Sequence, residues 1–166
     1  MWKVTNKTDA AMYFFIGAHP ALNCPLNADG QWDFYLDFHT DAPVYYQKIN
    51  PDNLVVNTSY LLDAHQGIAP MALSLFDDDV CIIKDTSISK VTILTENKQP
   101  WLSITFTALV LGLWSPVKKN APFICIEPWY GCNDCADFSG ELKDRPYVCQ
   151  LAPNDSCNFE YSICIY

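Results

Sequence analysis

The sequence predicts an all-β architecture, a sandwich or barrel-like stack of short strands, and three observations predict it. Apolar or β-branched runs alternate with period two, as at residues 32–38, where Trp32, Phe34, Leu36 and Phe38 fall on one side and Asp33, Tyr35 and Asp37 on the other. Loops rich in proline, glycine, asparagine and aspartate separate the runs. No stretch holds a 3.6-residue period long enough for a packed helix.

In chain order, residues 2–6 and 12–16 read as strands separated by the polar turn Lys7-Thr8-Asp9. Residues 32–38 form the half-buried strand just described, and 80–83 a short buried one. Residues 90–95 alternate weakly. Residues 101–109 set Trp101, Ser103, Thr105 and Thr107 against Leu102, Ile104, Phe106 and Ala108. The longest apolar run, 107–114, is strand-sized, 122–126 is a buried strand, and 159–166 closes the chain as a β-rich segment. Residues 18–30, 49–57 and 129–146 read as loops, and a helical turn is expected only near 61–65 or 141–144. No repeat, low-complexity tract or interior linker divides the chain, so residues 1–166 are expected to form one domain.

Half of the 166 residues are apolar, 14% are aromatic and 17% charged, which excludes disorder and collagen-like structure. The formal net charge is −9 and the single arginine is Arg145, so no phosphate-backbone binder is expected. No apolar run reaches the roughly 20 residues of a membrane-spanning helix. The N-terminal residues lack the layout of a signal peptide, and a cytoplasmic location is the expectation.

Eight cysteines stand at 24, 81, 125, 132, 135, 149, 157 and 164. Cys81, Cys125 and Cys164 lie in apolar strand-like runs, where a free thiol behaves as a small hydrophobe. Mostly buried, reduced thiols are therefore expected over a disulfide framework, although the sequons at Asn6, Asn57 and Asn154 point weakly to secretion. Cys132 and Cys135 have C-x-x-C spacing, and Cys149 and Cys157 complete a hypothetical four-sulfur zinc set, without a usual ribbon pattern.

Two segments carry candidate chemistry. Gly17-Ala18-His19-Pro20 holds a histidine at a strand exit, where proline biases His19 toward extended geometry. Cys125-Ile126-Glu127-Pro128-Trp129-Tyr130-Gly131 ends an apolar strand with a carboxylate and an aromatic pair. Burial there raises a carboxyl's pKa toward that of a general base working near neutrality. Alone, each has an ordinary reading: His19 as a turn residue, Glu127 as a solvated strand end, Trp129 and Tyr130 as core. His39 and His65 read as surface residues, and Asp77-Asp78-Asp79 as a solvated turn lacking the ligand spacing of a calcium loop.

The segments MYFFIGAHPALNCPL, LFDDDVCII, LGLWSPVKKNAPFICIEPWYG and ELKDRPYVCQLAPNDSCNFEYSICIY resemble, in order, the C-terminal part of aldose 1-epimerases, especially the branch associated with lactose operons. The resemblance implies an antiparallel β-sandwich of the galactose mutarotase type, with N-terminal strands missing. It implies interconversion of the α and β anomers of a free aldose, in a cleft at strand ends, with no metal or organic cofactor. His19 matches the family's general acid and Glu127 its general base. Asp79 matches a hydroxyl-binding aspartate, and Trp114 and Trp129 would line the pocket. The expected partner is a monosaccharide, a hexose, with neither nucleic acid nor membrane.

The match begins inside the family's pattern. A further histidine and an arginine of the N-terminal portion have no counterpart here, and absent strands would expose sheet edges through which the chain self-associates. A carbohydrate-binding domain or inactive fragment is the alternative expectation, and a disulfide- or zinc-stabilised secreted module a third.

Overall fold

The computed structural model describes residues 1–84 and 87–166. The chain opens with β1 (Trp2–Thr5), β2 (Met12–Phe14), β3 (Ile16–Gly17) and β4 (Ala21–Asn23), followed by β5 (Tyr35–Asp37), β6 (Tyr45–Ile49), β7 (Val55–Leu61) and β8 (Ile68–Pro70). A 3-10 turn at Leu73–Phe76 leads into β9 (Cys81–Lys84), β10 (Lys90–Leu94), β11 (Pro100–Phe106), β12 (Val110–Trp114) and β13 (Phe123–Tyr130). A second turn, Leu142–Asp144, precedes β14 (Cys149–Leu151), β15 (Ser156–Phe159) and β16 (Tyr161–Ile165).

Two antiparallel sheets dominate. The larger runs β3-β13-β12-β9-β6-β7, with β4 beside β3 on the same edge of β13, and the smaller runs β16-β11-β10-β5-β8. The pairs β1-β15 and β14-β2 make two small ribbons. Alternation along the strands sends one face of each large sheet into a common core. From the larger sheet come Cys81, Ile83, Leu111, Leu113, Ile124 and Ile126, and from the smaller Leu36, Val91, Ile93 and Ile104. Each such aliphatic side chain contributes about 1.5–3 kcal/mol relative to exposure. The opposite face of the larger sheet carries a separate patch of Val55, Val80, Ile82 and Val110, against which Trp114, Trp129, Cys132, Cys135 and Tyr147 pack.

Strand boundaries depart from the sequence reading in instructive ways. At 32–38 only Tyr35–Asp37 is strand, yet Trp32, Leu36 and Phe38 are all buried, so the alternation tracked burial rather than pairing. Residues 12–16 split into β2 and β3. The presumed loop 18–30 contains β4, and β6 and β7 were unrecognised because neither shows a strong apolar run. Helical turns form at Leu73–Phe76 and Leu142–Asp144, while 61–65 is not helical.

All eight cysteines are free thiols, but only Cys24, Cys81 and Cys125 are buried, and Cys164 is exposed, because β16 is the outer strand of its sheet. "Mostly buried" was therefore wrong. The first sequon falls on Asn6, which is 0% exposed. Its side-chain amide donates to the carbonyls of Ala10, Leu151 and Ala152, and its oxygen accepts from the Thr8 amide and hydroxyl. Asn6 is a structural clasp, inaccessible to a glycan in the folded chain.

Candidate active site

β13 and its neighbours build the site. Gly17 stands opposite Trp129 and Ala21 opposite Cys125, so the same antiparallel register, two residues in from each end, sets His19 opposite Glu127. The Ala18 amide donates to the Pro128 carbonyl at 3.0 Å, which makes the adjoining His19–Glu127 position the closely spaced, non-hydrogen-bonded kind. Pro20 would next have to donate to Ile126, but proline has no N–H. Pairing stops there, and the edge strand divides into β3 and β4 with His19 in the gap.

The result is a contact between residues far apart in sequence. His19 Nε2 lies 3.2 Å from Glu127 Oε1, with the histidine side chain 59% exposed and that of Glu127 3%. Glu127 Oε2 accepts a hydrogen bond from Trp129 Nε1 at 3.1 Å. Oε1 is buried without a hydrogen-bonding donor, since the imidazole approaches closely but out of line. Burial pushes the Glu127 carboxyl above its usual range, and His19 and the Trp129 indole N–H act against that rise. A carboxylate so placed is a better base than one in water.

Glu127 sits in the middle of β13, not at a strand end, and the pair meets on a sheet face rather than between facing strand ends. Desolvating the carboxylate is tolerated because Ile124 and Ile126 of the same strand are fully buried on the other face.

Trp129 and Trp114 flank the pair. Gly112 of β12 stands opposite Glu127, and a Cβ there would lie 2.7 Å from Trp129 Cζ2. The bare glycine lets the indole lie across β12 and reach the carboxylate. Trp114 meets the His19 ring edge to face, with centroids 5.4 Å apart. Asp79 lies in the approach to β9 with φ 72°, and its charge adds the smallest of the four influences on Glu127. A cleft of about 290 Å³ beside Trp129 is lined by Phe15, Ile16, Gly17, Gly131, Cys132 and Asn133, and neither His19 nor Glu127 lines it.

Sequence reasoning missed Gly112 and Cys125. A glycine inside an apolar strand is a signal for close approach. Cys125, two residues before Glu127, had to share its face. Among the described residues, the one group of three or more side chains arranged to hold a metal is His19, Cys125 and Glu127, and the four-cysteine set is not such a group.

Comparison with known proteins agrees with this architecture. The chain is 32% identical over 171 residues to the plasmid and chromosomal forms of Protein LacX of Lactococcus lactis subsp. lactis, covering 99% of itself and 56% of each. It superposes on a galactose mutarotase-like protein from Lactobacillus casei with a TM-score of 0.86 at 26% identity, covering 99% of itself and 57% of that chain. With a galactose mutarotase related enzyme from Lactobacillus acidophilus the TM-score is 0.85 at 27% identity, over 99% of this chain and 55% of the other. The chain is thus similar in sequence to Protein LacX and in fold to galactose mutarotase-like proteins. It spans about half the length of the curated relatives it matches. No family model matches it. Its stacked antiparallel sheets are the galactose mutarotase-like sandwich, present in part.

Proposed function

We propose that this galactose mutarotase-like chain binds a free hexose over Trp114 and Trp129 and interconverts its α and β anomers. Glu127 takes the proton of the anomeric hydroxyl while His19 protonates the ring oxygen. The C1–O bond of the ring breaks, the C1–C2 bond rotates, and reclosure on the other carbonyl face returns both protons. Asp79 is assigned to a sugar hydroxyl. One base and one acid on neighbouring oxygens suffice for the proton transfers.

The observation that carries this reading is the buried Glu127 Oε1, which accepts no hydrogen bond and is held 3.2 Å from an exposed imidazole. Such a pair offers one group poised to accept a proton and one reachable from solvent. The indole faces supply flat apolar surface for a sugar ring.

Polarimetry of freshly dissolved α-galactose or α-glucose tests it. The chain should speed equilibration, and His19→Asn and Glu127→Ala should each cut the catalysed rate at least about 100-fold with circular dichroism unchanged. An unaltered rate in either variant removes its assigned role. Binding without turnover is the second reading, favoured by the openness of the face around His19, where water competes for the protons. Sugar-dependent tryptophan quenching with no effect on mutarotation would select it.

A further inference from the structure

We propose that His19, Cys125 and Glu127 form a binding site for a soft divalent cation of the zinc class. This goes beyond the proposed sugar chemistry and does not depend on it. One imidazole nitrogen, the Cys125 sulfur and a Glu127 carboxylate oxygen all lie within 4.8 Å of one another. The His19 Nε2 to Glu127 Oε1 separation of 3.2 Å is close to the ~3.3 Å between two nitrogen or oxygen ligands of a tetrahedral zinc. A mixed sulfur, nitrogen and oxygen set suits zinc and disfavours magnesium or calcium, which take oxygen ligands.

The second, independent observation is the orphaned oxygen. Glu127 is 2% exposed, and its Oε1 is buried with no hydrogen-bonding donor. Such an atom in a folded protein calls for a partner, and a cation held by the neighbouring sulfur and imidazole supplies one.

The register explains why the three converge. Cys125 and Glu127 are two apart on β13 and share a face, and His19 stands opposite Glu127 on the broken edge strand. Three protein ligands leave a fourth position open, on the side of the exposed histidine. Binding forms metal–sulfur, metal–nitrogen and metal–oxygen bonds and releases the Cys125 thiol proton to solvent. Nothing is oxidised or reduced. The cation occupies the same atoms that would move protons on a sugar, so the two uses exclude each other.

The test loads the whole chain with one equivalent of cobalt(II) or zinc(II). A thiolate-to-cobalt charge-transfer band is expected in the wild type and in the Cys132→Ser/Cys135→Ser double variant. It should vanish in Cys125→Ser, and His19→Asn should weaken cobalt binding at least tenfold. X-ray absorption of the zinc-loaded wild type needs no variant to fold, and should show one sulfur at about 2.3 Å with nitrogen or oxygen at about 2.0–2.1 Å. Two or more sulfurs per zinc, a cobalt band unchanged in Cys125→Ser, or no binding at one equivalent each overturns the proposal. If one-sulfur zinc binding is observed and galactose does not weaken it, the metal site stands and the sugar reading falls.

Discussion

Burial raises the proton affinity of Glu127, while the His19 imidazole and the Trp129 indole N–H pull it back without cancelling the rise. The folded chain therefore holds this proton to higher pH than the unfolded chain, where the ordinary value is 4.5. The stability this gives is fully present below that value and is lost as pH rises through the higher folded one. Glu127→Gln keeps the shape and removes the ionisation. Its melting temperature should match the wild type near pH 4 and exceed it increasingly toward pH 7. A difference independent of pH would refute the raised proton affinity. At this scale the two site residues were legible as types in recognisable motifs. Their contact was not, because it rests on a register between segments about a hundred positions apart, which no local pattern encodes.

Element geometry decides how the pair is presented. β13 is held on one side by the continuous β12 and on the other by two fragments parted at Pro20. The broken side frees His19 to face solvent, and the continuous side, through Gly112, makes room for Trp129. Gly112→Ala puts a methyl 2.7 Å from Trp129 Cζ2, a separation that real Cβ contacts do not show. The indole must swing away, at a cost of about 1–3 kcal/mol in stability. Its hydrogen bond to Glu127 goes with it, which should lower the proposed mutarotation about 10–100-fold, as expected for a bond to a charged group. Parallel chemical denaturation and polarimetry of this variant check both effects. The sequence hinted at β13 through its apolar run but suggested an end at Ile126, since a glutamate and a proline look like a terminus. Pairing on both sides carries the strand through them to Tyr130.

At the scale of the molecule, the placement of the thiols separates interior from surface. Denatured, unreduced protein should titrate eight free thiols. In the native state Cys164 should react first, while Cys24, Cys81 and Cys125, buried and pushed up to about 12 by desolvation, should stay silent at pH 8. Fewer than eight thiols, or prompt labelling of the buried three by mass spectrometry, would contradict this arrangement. The sandwich class was readable because alternation and turn chemistry are local. The strand order was not, since only the folded chain sets β13 beside β3, β4 and β12.

β13 also divides its labour by parity. Ile124 and Ile126 point into the core, while Cys125, Glu127 and Trp129 lie on the opposite face, the one that carries the candidate site. A lineage can therefore alter what this surface recognises by changing every second residue, and leave the residues that hold the sandwich together untouched. Inheritance of the scaffold and invention on its surface are separable along a single strand, one residue apart.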